Sequence, residues 1–96
     1  MPPTNGTSEG RFILKSGKLI RVSAIFEGDR IRDIKITGDF FLHPEERIEE
    51  IEQSLRNRRI DEVNDVVERE MADAEYEGIS PETLTEAIRG AWMRRK

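Results

Sequence analysis

The hydrophobic pattern of this chain changes its period at one stretch, residues 38–47, which we call the junction. Before the junction, apolar residues alternate with polar ones, a pattern typical of β-strands. After it, they recur every three or four residues, which is typical of helices. Strands that are followed by helices, without interleaving, predict an α+β fold in which the helices cover one face of an antiparallel sheet.

The junction places two adjacent phenylalanines, Phe40 and Phe41, between Gly38 and Pro44. Within one strand their side chains would point to opposite faces. One phenylalanine is therefore expected to anchor the core while the other faces a partner. The alternative is that both belong to the core, or that one forms a hydrophobic staple at the helix start.

Upstream of the junction, the sequence predicts three short strands in an antiparallel meander. The first candidate covers residues 11–15, and the other two, which alternate well, cover residues 18–27 and 30–37. Turn-forming residues at 16–17 and 28–29 separate the strands. The meander leaves one apolar face that the helices must cover.

Two further features belong to this segment. Residues 1–10 are rich in Pro, Gly, Thr and Ser and lack an apolar period, so they are predicted to be a disordered tail before a domain of residues 11–96. Ile31 falls on the outward register of its strand, which predicts a bulge or a packed sheet edge at that position.

Three helices are predicted to cover the sheet. The first has His43 as its cap and ends after Leu55, and the second has Asp61 as its cap and ends near Gly78. The third begins at Ser80, because Ser-Pro-Glu supplies a cap, a first-turn proline and an acid at the positive end of the helix dipole.

Charge is divided unevenly along the chain, whose formal net charge is −4. Residues 11–37 contain seven lysines and arginines against three acids, whereas residues 38–78 contain fourteen acids against five arginines. A basic sheet is thus joined to an acidic helical segment. Basic side chains on a small sheet can meet phosphate or an acidic protein; the alternative is that they form the solvated face of a half-buried sheet.

Composition excludes several classes of protein. The chain has no cysteine, which excludes disulfides, thiolate metal sites and cysteine nucleophiles. It contains no apolar run near the roughly 18 residues that a membrane span needs, and it begins with no signal-peptide pattern. We therefore expect a cytoplasmic protein that does not contact membranes.

Residues able to perform chemistry are few. The one histidine, His43, would need a carboxylate or a nucleophile nearby to act as a general base, whereas a helix cap needs nothing more. Glutamates after the junction could gather a cation, but on a helix surface they are usually solvated and paired at i,i+4. No phosphate-binding loop spacing occurs. We predict no catalytic residue and no metal site.

A resemblance to a known family is most specific across the third predicted strand and the junction. These residues run Ile31-x-Asp33-Ile34-x-Ile36-x-Gly38-Asp39-Phe40-Phe41, after Gly17-Lys18-x-x-x-Val22 and Gly28. With a helix that ends at Leu55, the pattern resembles the C-terminal accessory domain of lipoate–protein ligases over about residues 11–92. The resemblance implies a fold similar to iron–sulfur scaffold proteins, although a chain without cysteine cannot act as such a scaffold.

The resemblance also implies a function. In that family the accessory domain either follows a catalytic domain or is a separate small subunit, so this chain is expected to be the small subunit of a two-part ligase. Lipoate and ATP would give lipoyl-AMP and pyrophosphate, and the lipoyl group would pass to a lysine of an acceptor lipoyl domain. The complex, rather than this chain alone, is expected to bind ATP and lipoate with magnesium. The accessory domain is expected to serve chiefly activation and to move away for transfer.

The surface expected to meet the catalytic subunit near its nucleotide pocket combines the start of the junction with adjacent basic sheet residues. These residues are Lys18, Arg21, Gly38, Asp39, Phe40 and Phe41. Two alternatives remain open at this point. One is an RNA-binding module that uses a basic sheet with stacked aromatics, although the negative net charge makes nucleic acid an unexpected partner. The other is an assembly adaptor that belongs to no enzyme.

Overall fold

Three antiparallel strands form the main sheet of the protein, of which a computed structural model describes residues 7–15 and 18–96. The strands are β1 (Thr7–Leu14), β2 (Ile20–Glu27) and β3 (Arg30–Gly38), in the order β1-β2-β3. The predicted meander is therefore confirmed. The turn predicted at residues 16–17 lies outside the described residues.

The elements after the main sheet are three helices and a short two-stranded ribbon. In chain order they are β4 (Phe41–His43), α1 (Arg47–Leu55), α2 (Val63–Met71), β5 (Glu75–Glu77) and α3 (Pro81–Met93), with one turn of 3-10 helix, Ile60–Glu62, before α2. Strands β4 and β5 pair with each other in an antiparallel arrangement. The predicted α+β class and the three helices are confirmed, whereas the ribbon was not predicted.

The core lies between the inner face of the main sheet and the three helices. Alternate residues of β2 and β3 are buried, and each helix adds an apolar stripe. Phe26 is fully buried and meets the edge of the Trp92 ring, with ring centroids 5.1 Å apart. Burial of each large apolar side chain contributes about 1.5–3 kcal/mol, so this layer supplies most of the driving force for folding.

Ile31 is fully buried, although simple alternation would place it outside. The register explains this: Ile25 faces Asp33 while Phe26 faces Ile31, so Arg32 has no partner on β2. One extra residue in a strand is a bulge, and it returns Ile31 to the core face. The bulge predicted at this position is confirmed.

The first strand begins earlier than the sequence predicted. Residues 7–10, assigned to the disordered tail, belong to β1 and pair with β2 from Thr7 opposite Glu27 to Gly10 opposite Ala24. Backbone ladder bonds do not require apolar side chains, which is why composition misplaced the boundary. Residues 1–6 lie outside the described residues.

Three predicted helix boundaries are wrong. His43 lies in β4 rather than at a cap, and α1 begins only at Arg47. Asp61 lies inside the 3-10 turn before α2. Gly78 follows β5 rather than a helix and turns the chain toward α3 with a φ of 78°. In each case, pairing between distant segments overrides a local helix signal.

The start of α3 agrees with its sequence signal. The Ser80 hydroxyl accepts a hydrogen bond from the Thr83 N–H at 3.1 Å, and the Thr83 hydroxyl accepts one from the Ser80 N–H at 2.8 Å. This reciprocal cap satisfies N–H groups that would otherwise lack partners at the helix start, and Pro81 needs none.

Helix α3 approaches β1 closely at two glycines. A Cβ atom on Gly10 would lie 2.0 Å from the carbonyl oxygen of Ala91, and one on Gly90 would lie 2.5 Å from the Phe12 ring. Both distances are far below van der Waals contact, so only glycine permits this spacing between the layers.

We expect Gly10→Ala to lower the free energy of unfolding by about 2–3 kcal/mol, because the new methyl group meets backbone that cannot rotate away. Urea titration followed by circular dichroism measures the change. The control is Gly28→Asn, in a turn where no atom lies within 4 Å of the added Cβ and φ is 59°, a conformation that asparagine tolerates. Its effect should stay within about 0.5 kcal/mol. Equal losses in the two variants would contradict the close approach.

Candidate partner interface

The junction forms one strand of the β4–β5 ribbon, which lies beside the main sheet. Phe41 faces Glu77, Leu42 faces Tyr76, and His43 faces Glu75. Leu42 is buried in the core, so the residues on either side of it point outward. The exposed face of the ribbon therefore presents two rings and two carboxylates.

The two junction phenylalanines point in different directions. Phe40 is half-buried and packs against the core, whereas Phe41 is 54% exposed. The Phe41 ring lies nearly parallel to that of His43, with an interplanar angle of 6° and centroids 6.4 Å apart. The sequence predicted one inward and one outward phenylalanine without deciding between them. The structure assigns the exposed role to Phe41.

Gly38 makes this arrangement possible at the end of β3. A Cβ atom there would lie 2.1 Å from the carbonyl oxygen of Leu19 and 2.9 Å from the Phe40 ring. The same Leu19 oxygen accepts a hydrogen bond from the Asp39 N–H at 3.0 Å. Gly38 thus allows the Phe40 ring to fold back over the strand end while Asp39 ties the junction to the start of β2.

Lys18 reaches the junction from the other side. A Cβ atom on Gly78 would lie 2.1 Å from Cγ of Lys18, so the aliphatic part of the lysine side chain lies across this glycine. A shallow depression of about 230 Å³ results, with walls formed by Lys18, Asp39, Phe40, Phe41 and Glu77. Four of these five residues come from the predicted set.

Arg21 is not part of this depression. Its strand partners are Ile13 and Thr37, and its side chain lies on the outer face of the main sheet, where it lines a separate hollow with Arg11 and Lys35. The structure therefore brings five of the six predicted residues together, since Gly38 adjoins the depression. It places Arg21 on a different surface.

Arg47 holds the ribbon in place. Its Nη1 donates hydrogen bonds to the Glu70 carbonyl oxygen at 2.7 Å and to Asp73 Oδ1 at 2.6 Å, and its Nε donates to Glu50 Oε1 at 3.1 Å. These bonds join the start of α1, just after β4, to the end of α2, just before β5. The Arg47 guanidinium also holds the pKa of the Asp73 carboxyl below its usual value, chiefly through the hydrogen bond.

His43, Glu75 and Glu77 belong to this surface, and sequence reasoning missed their role. The strand β5 has three residues, too few for a period-two pattern to show, and it follows a helix in a strongly acidic segment. The available signal was Tyr76, a residue favoured in strands, just before Gly78. The pairing with β4 could not be seen without the fold.

The side chains of this surface are suited to binding a protein partner. Within residues 7–15 and 18–96, no group of three or more His, Asp or Glu side chains is arranged to hold a metal ion. None of the helices in that part of the chain is long and apolar enough to cross a membrane. An exposed aromatic pair beside a lysine and carboxylates offers apolar area and charge to a protein partner.

Comparison with known proteins identifies the family of this chain. The family model described as bacterial lipoate protein ligase C-terminus matches residues 11–88. The chain belongs to this ligase C-terminal family.

Two relatives from Thermoplasma acidophilum support the assignment. Over 73 residues, 74% of this chain and 77% of the relative, the chain is 40% identical to lipoate-protein ligase A subunit 2. It also superimposes, with a TM-score of 0.80 and 35% identity, on a chain from an archaeal lipoylation system that comprises a bipartite lipoate protein ligase and its E2 lipoyl domain. That alignment covers 84% of this chain and 94% of the other.

The two phenylalanines should differ in their effect on stability. Phe40→Ala is expected to lower the free energy of unfolding by about 2 kcal/mol, because a half-buried ring leaves the core. Phe41→Ala should change it by less than about 0.5 kcal/mol, because its ring is exposed. Chemical unfolding of both variants measures this. A larger loss for Phe41→Ala would show that the directions are reversed.

The bond between Arg47 and Asp73 should make stability depend on pH. Because the folded-state pKa of Asp73 lies below its ordinary value of 3.8, its contribution is fully present above that pH. It is lost as pH falls through the folded-state pKa. Asp73→Asn should therefore be less stable than the parent at neutral pH, and the difference should vanish in acid. Unfolding curves at a series of pH values measure it, and a difference independent of pH would contradict the ion pair.

Proposed function

We propose that this chain is the small subunit of a bipartite lipoate–protein ligase and that its junction docks on the catalytic subunit during the activation of lipoate. Two observations support the proposal: the chain belongs to the ligase C-terminal family, and the junction presents an exposed ring, Phe41, beside Lys18. The second of these is the observation that the mechanism depends on.

The physical role assigned to the chain is closure. Formation of lipoyl-AMP requires the lipoate carboxylate and the α-phosphorus of ATP to be held in line with water excluded. A small domain that covers such a pocket excludes water without supplying a base. Lys15 and Lys18, which line a second hollow with Leu19 and Asp39, offer positive charge that is complementary to the phosphates of a nucleotide bound to the partner.

ATP, lipoate and magnesium are assigned to the complex and not to this chain alone. The junction depression, at about 230 Å³, is smaller than the roughly 300–1,000 Å³ typical of small-molecule sites. The described residues offer neither a glycine-rich phosphate loop nor a cluster of metal ligands. We therefore propose that no residue of this chain takes part in lipoyl-AMP formation. Transfer to the lysine of a lipoyl domain is likewise proposed to take place on the partner.

The RNA-binding alternative would need aromatic side chains on the exposed face of the sheet. Phe12 instead packs under Gly90, and Phe26 is buried. Experiment distinguishes a ligase subunit from an assembly adaptor that belongs to no ligase, because adding the adaptor would leave lipoate activation by the catalytic subunit unaffected. The geometry favours docking on a protein.

The test reconstitutes the pair of subunits and follows pyrophosphate release with lipoate and ATP. Phe41→Ala and Lys18→Glu should each slow lipoyl-AMP formation about tenfold, which corresponds to about 1.4 kcal/mol of lost docking energy in the closed state. Arg69→Ala, which removes an exposed cation from α2, is the matched control and should not alter the rate.

Complex formation is measured separately by calorimetry on the same variants. Unchanged activation together with unchanged binding in both the Phe41 and the Lys18 variants would refute docking through the junction. Activation by the catalytic subunit alone at the full rate would refute the subunit role itself.

A further inference from the structure

The two edge strands of the main sheet, β1 and β3, differ in how far other parts of the chain cover them. Along the outer edge of β3, the Ile31 N–H donates to the Arg58 carbonyl oxygen at 2.8 Å and the Ile36 N–H donates to Glu52 Oε2 at 2.7 Å. The Ile31 carbonyl oxygen accepts from Asn57. This edge is closed by the helical layer, which is a common way to prevent further strand pairing.

The outer edge of β1 is closed at Glu9. Glu9 exchanges two backbone hydrogen bonds with Lys96, of 3.3 and 3.0 Å. Because outward-pointing backbone groups alternate along a strand, those of Arg11 and Ile13 point to the same side as those of Glu9. Within residues 7–15 and 18–96, no backbone group outside the sheet bonds to either residue. Among the described residues, the edge is therefore paired with Lys96 at Glu9, and the outward backbone groups of Arg11 and Ile13 are left for another strand.

A groove lies below this open edge, on the helix side of the sheet. It has a volume of about 920 Å³, and α3 forms its floor between Phe12 of β1 and Asn64 of α2. The apolar part is formed by Phe12, Gly90 and the 81% exposed Met93, and the Arg94 guanidinium lies 5.3 Å from the centroid of the Phe12 ring. The charged lining residues are Glu82, Glu86, Arg89 and Arg94. A fourth strand beside β1 would lie about 4.8 Å farther out, and every second side chain would point into this groove.

The opposite face of the same edge is cationic. A hollow of about 200 Å³ is lined by Arg11, Arg21 and Lys35, together with Ile13. Of the nearby acids, Glu9 pairs with Arg11 and Asp33 pairs with Arg56. Among the described residues, Arg21 and Lys35 form no ion pair, so this face carries uncompensated positive charge within the Debye length of the edge.

We propose that the open edge of β1 binds an extended segment of a partner protein as a fourth strand, and that the side chains of this segment alternate between apolar and acidic. The apolar side chains enter the groove against Phe12 and Met93, and the acidic ones face Arg11, Arg21 and Lys35. Backbone hydrogen bonds to Arg11 and Ile13 supply affinity, and the two faces supply specificity. This inference goes beyond the proposed function, because it holds whether or not the junction closes over a ligase pocket.

A second copy of this chain fits the edge poorly. Antiparallel pairing of two β1 strands centred on Ile13 places Arg11 directly opposite Lys15 of the other copy, and like charges in that position are destabilising. Pairing that extends to Glu9 is blocked, because Lys96 already bonds there. An acidic segment avoids the like-charge contact, and it avoids Lys96 when it pairs only with Arg11 and Ile13.

The experiment uses the full chain, labelled with ¹⁵N, and a capped eight-residue peptide of alternating glutamate and valine. Saturable changes in the amide signals of Arg11 and Ile13, with slowed hydrogen exchange at both, are expected. A peptide N-methylated at alternate residues, which cannot pair along one edge, should bind at least about fivefold more weakly, the factor for one ordinary backbone hydrogen bond. Equal binding of the two peptides would overturn strand addition.

Variants separate the two faces. Met93→Glu, at an exposed groove position, and the double change Arg21→Glu with Lys35→Glu should each weaken binding of the parent peptide at least about fivefold. Arg69→Glu, the same charge reversal on α2, should not. Peptide-induced changes confined to Phe41 and His43, or slowed exchange at Arg11 that grows with protein concentration in the absence of peptide, would overturn the proposal. These outcomes are independent of lipoate activation, so failure here leaves the proposed function standing.

Discussion

The close approach of α3 to β1 determines much of this structure. Two glycines, Gly10 and Gly90, remove the side chains that would hold the layers apart, so the helix packs directly on strand backbone and on the Phe12 ring. That spacing allows Trp92 to reach Phe26, and it brings the end of the chain back to the β1 edge, where Lys96 pairs with Glu9. The groove beside α3 is a consequence of the same geometry.

A second constraint positions the junction. The main sheet and the helices would be compatible with several paths for the segment between β3 and α1, because that segment has few buried residues. Arg47 removes this freedom: it bonds to backbone and carboxylate at the end of α2, and so brings β4 beside β5. Individually such partly exposed bonds stabilise little. They join the start of α1 to the end of α2 on either side of the ribbon, and the burial of Leu42 turns Phe41 outward.

The surfaces that result are suited to different tasks. The junction offers the exposed Phe41 ring on a short ribbon, with Lys18 beside it, which suits a contact that forms and breaks during a reaction. The open β1 edge offers backbone bonds and a long groove, which suit a more lasting attachment.

Local sequence signals were sufficient for the α+β class, the meander, the bulge at Ile31 and the start of α3. Period, turn residues and caps depend on neighbours along the chain, and they are visible without a fold. The tail boundary, the ribbon, the outward direction of Phe41 and the separation of Arg21 from the junction were decided by the tertiary structure. Each depends on pairing or packing between segments far apart in sequence. Short strands such as β5 contain too few residues for a period-two pattern that would predict their pairing.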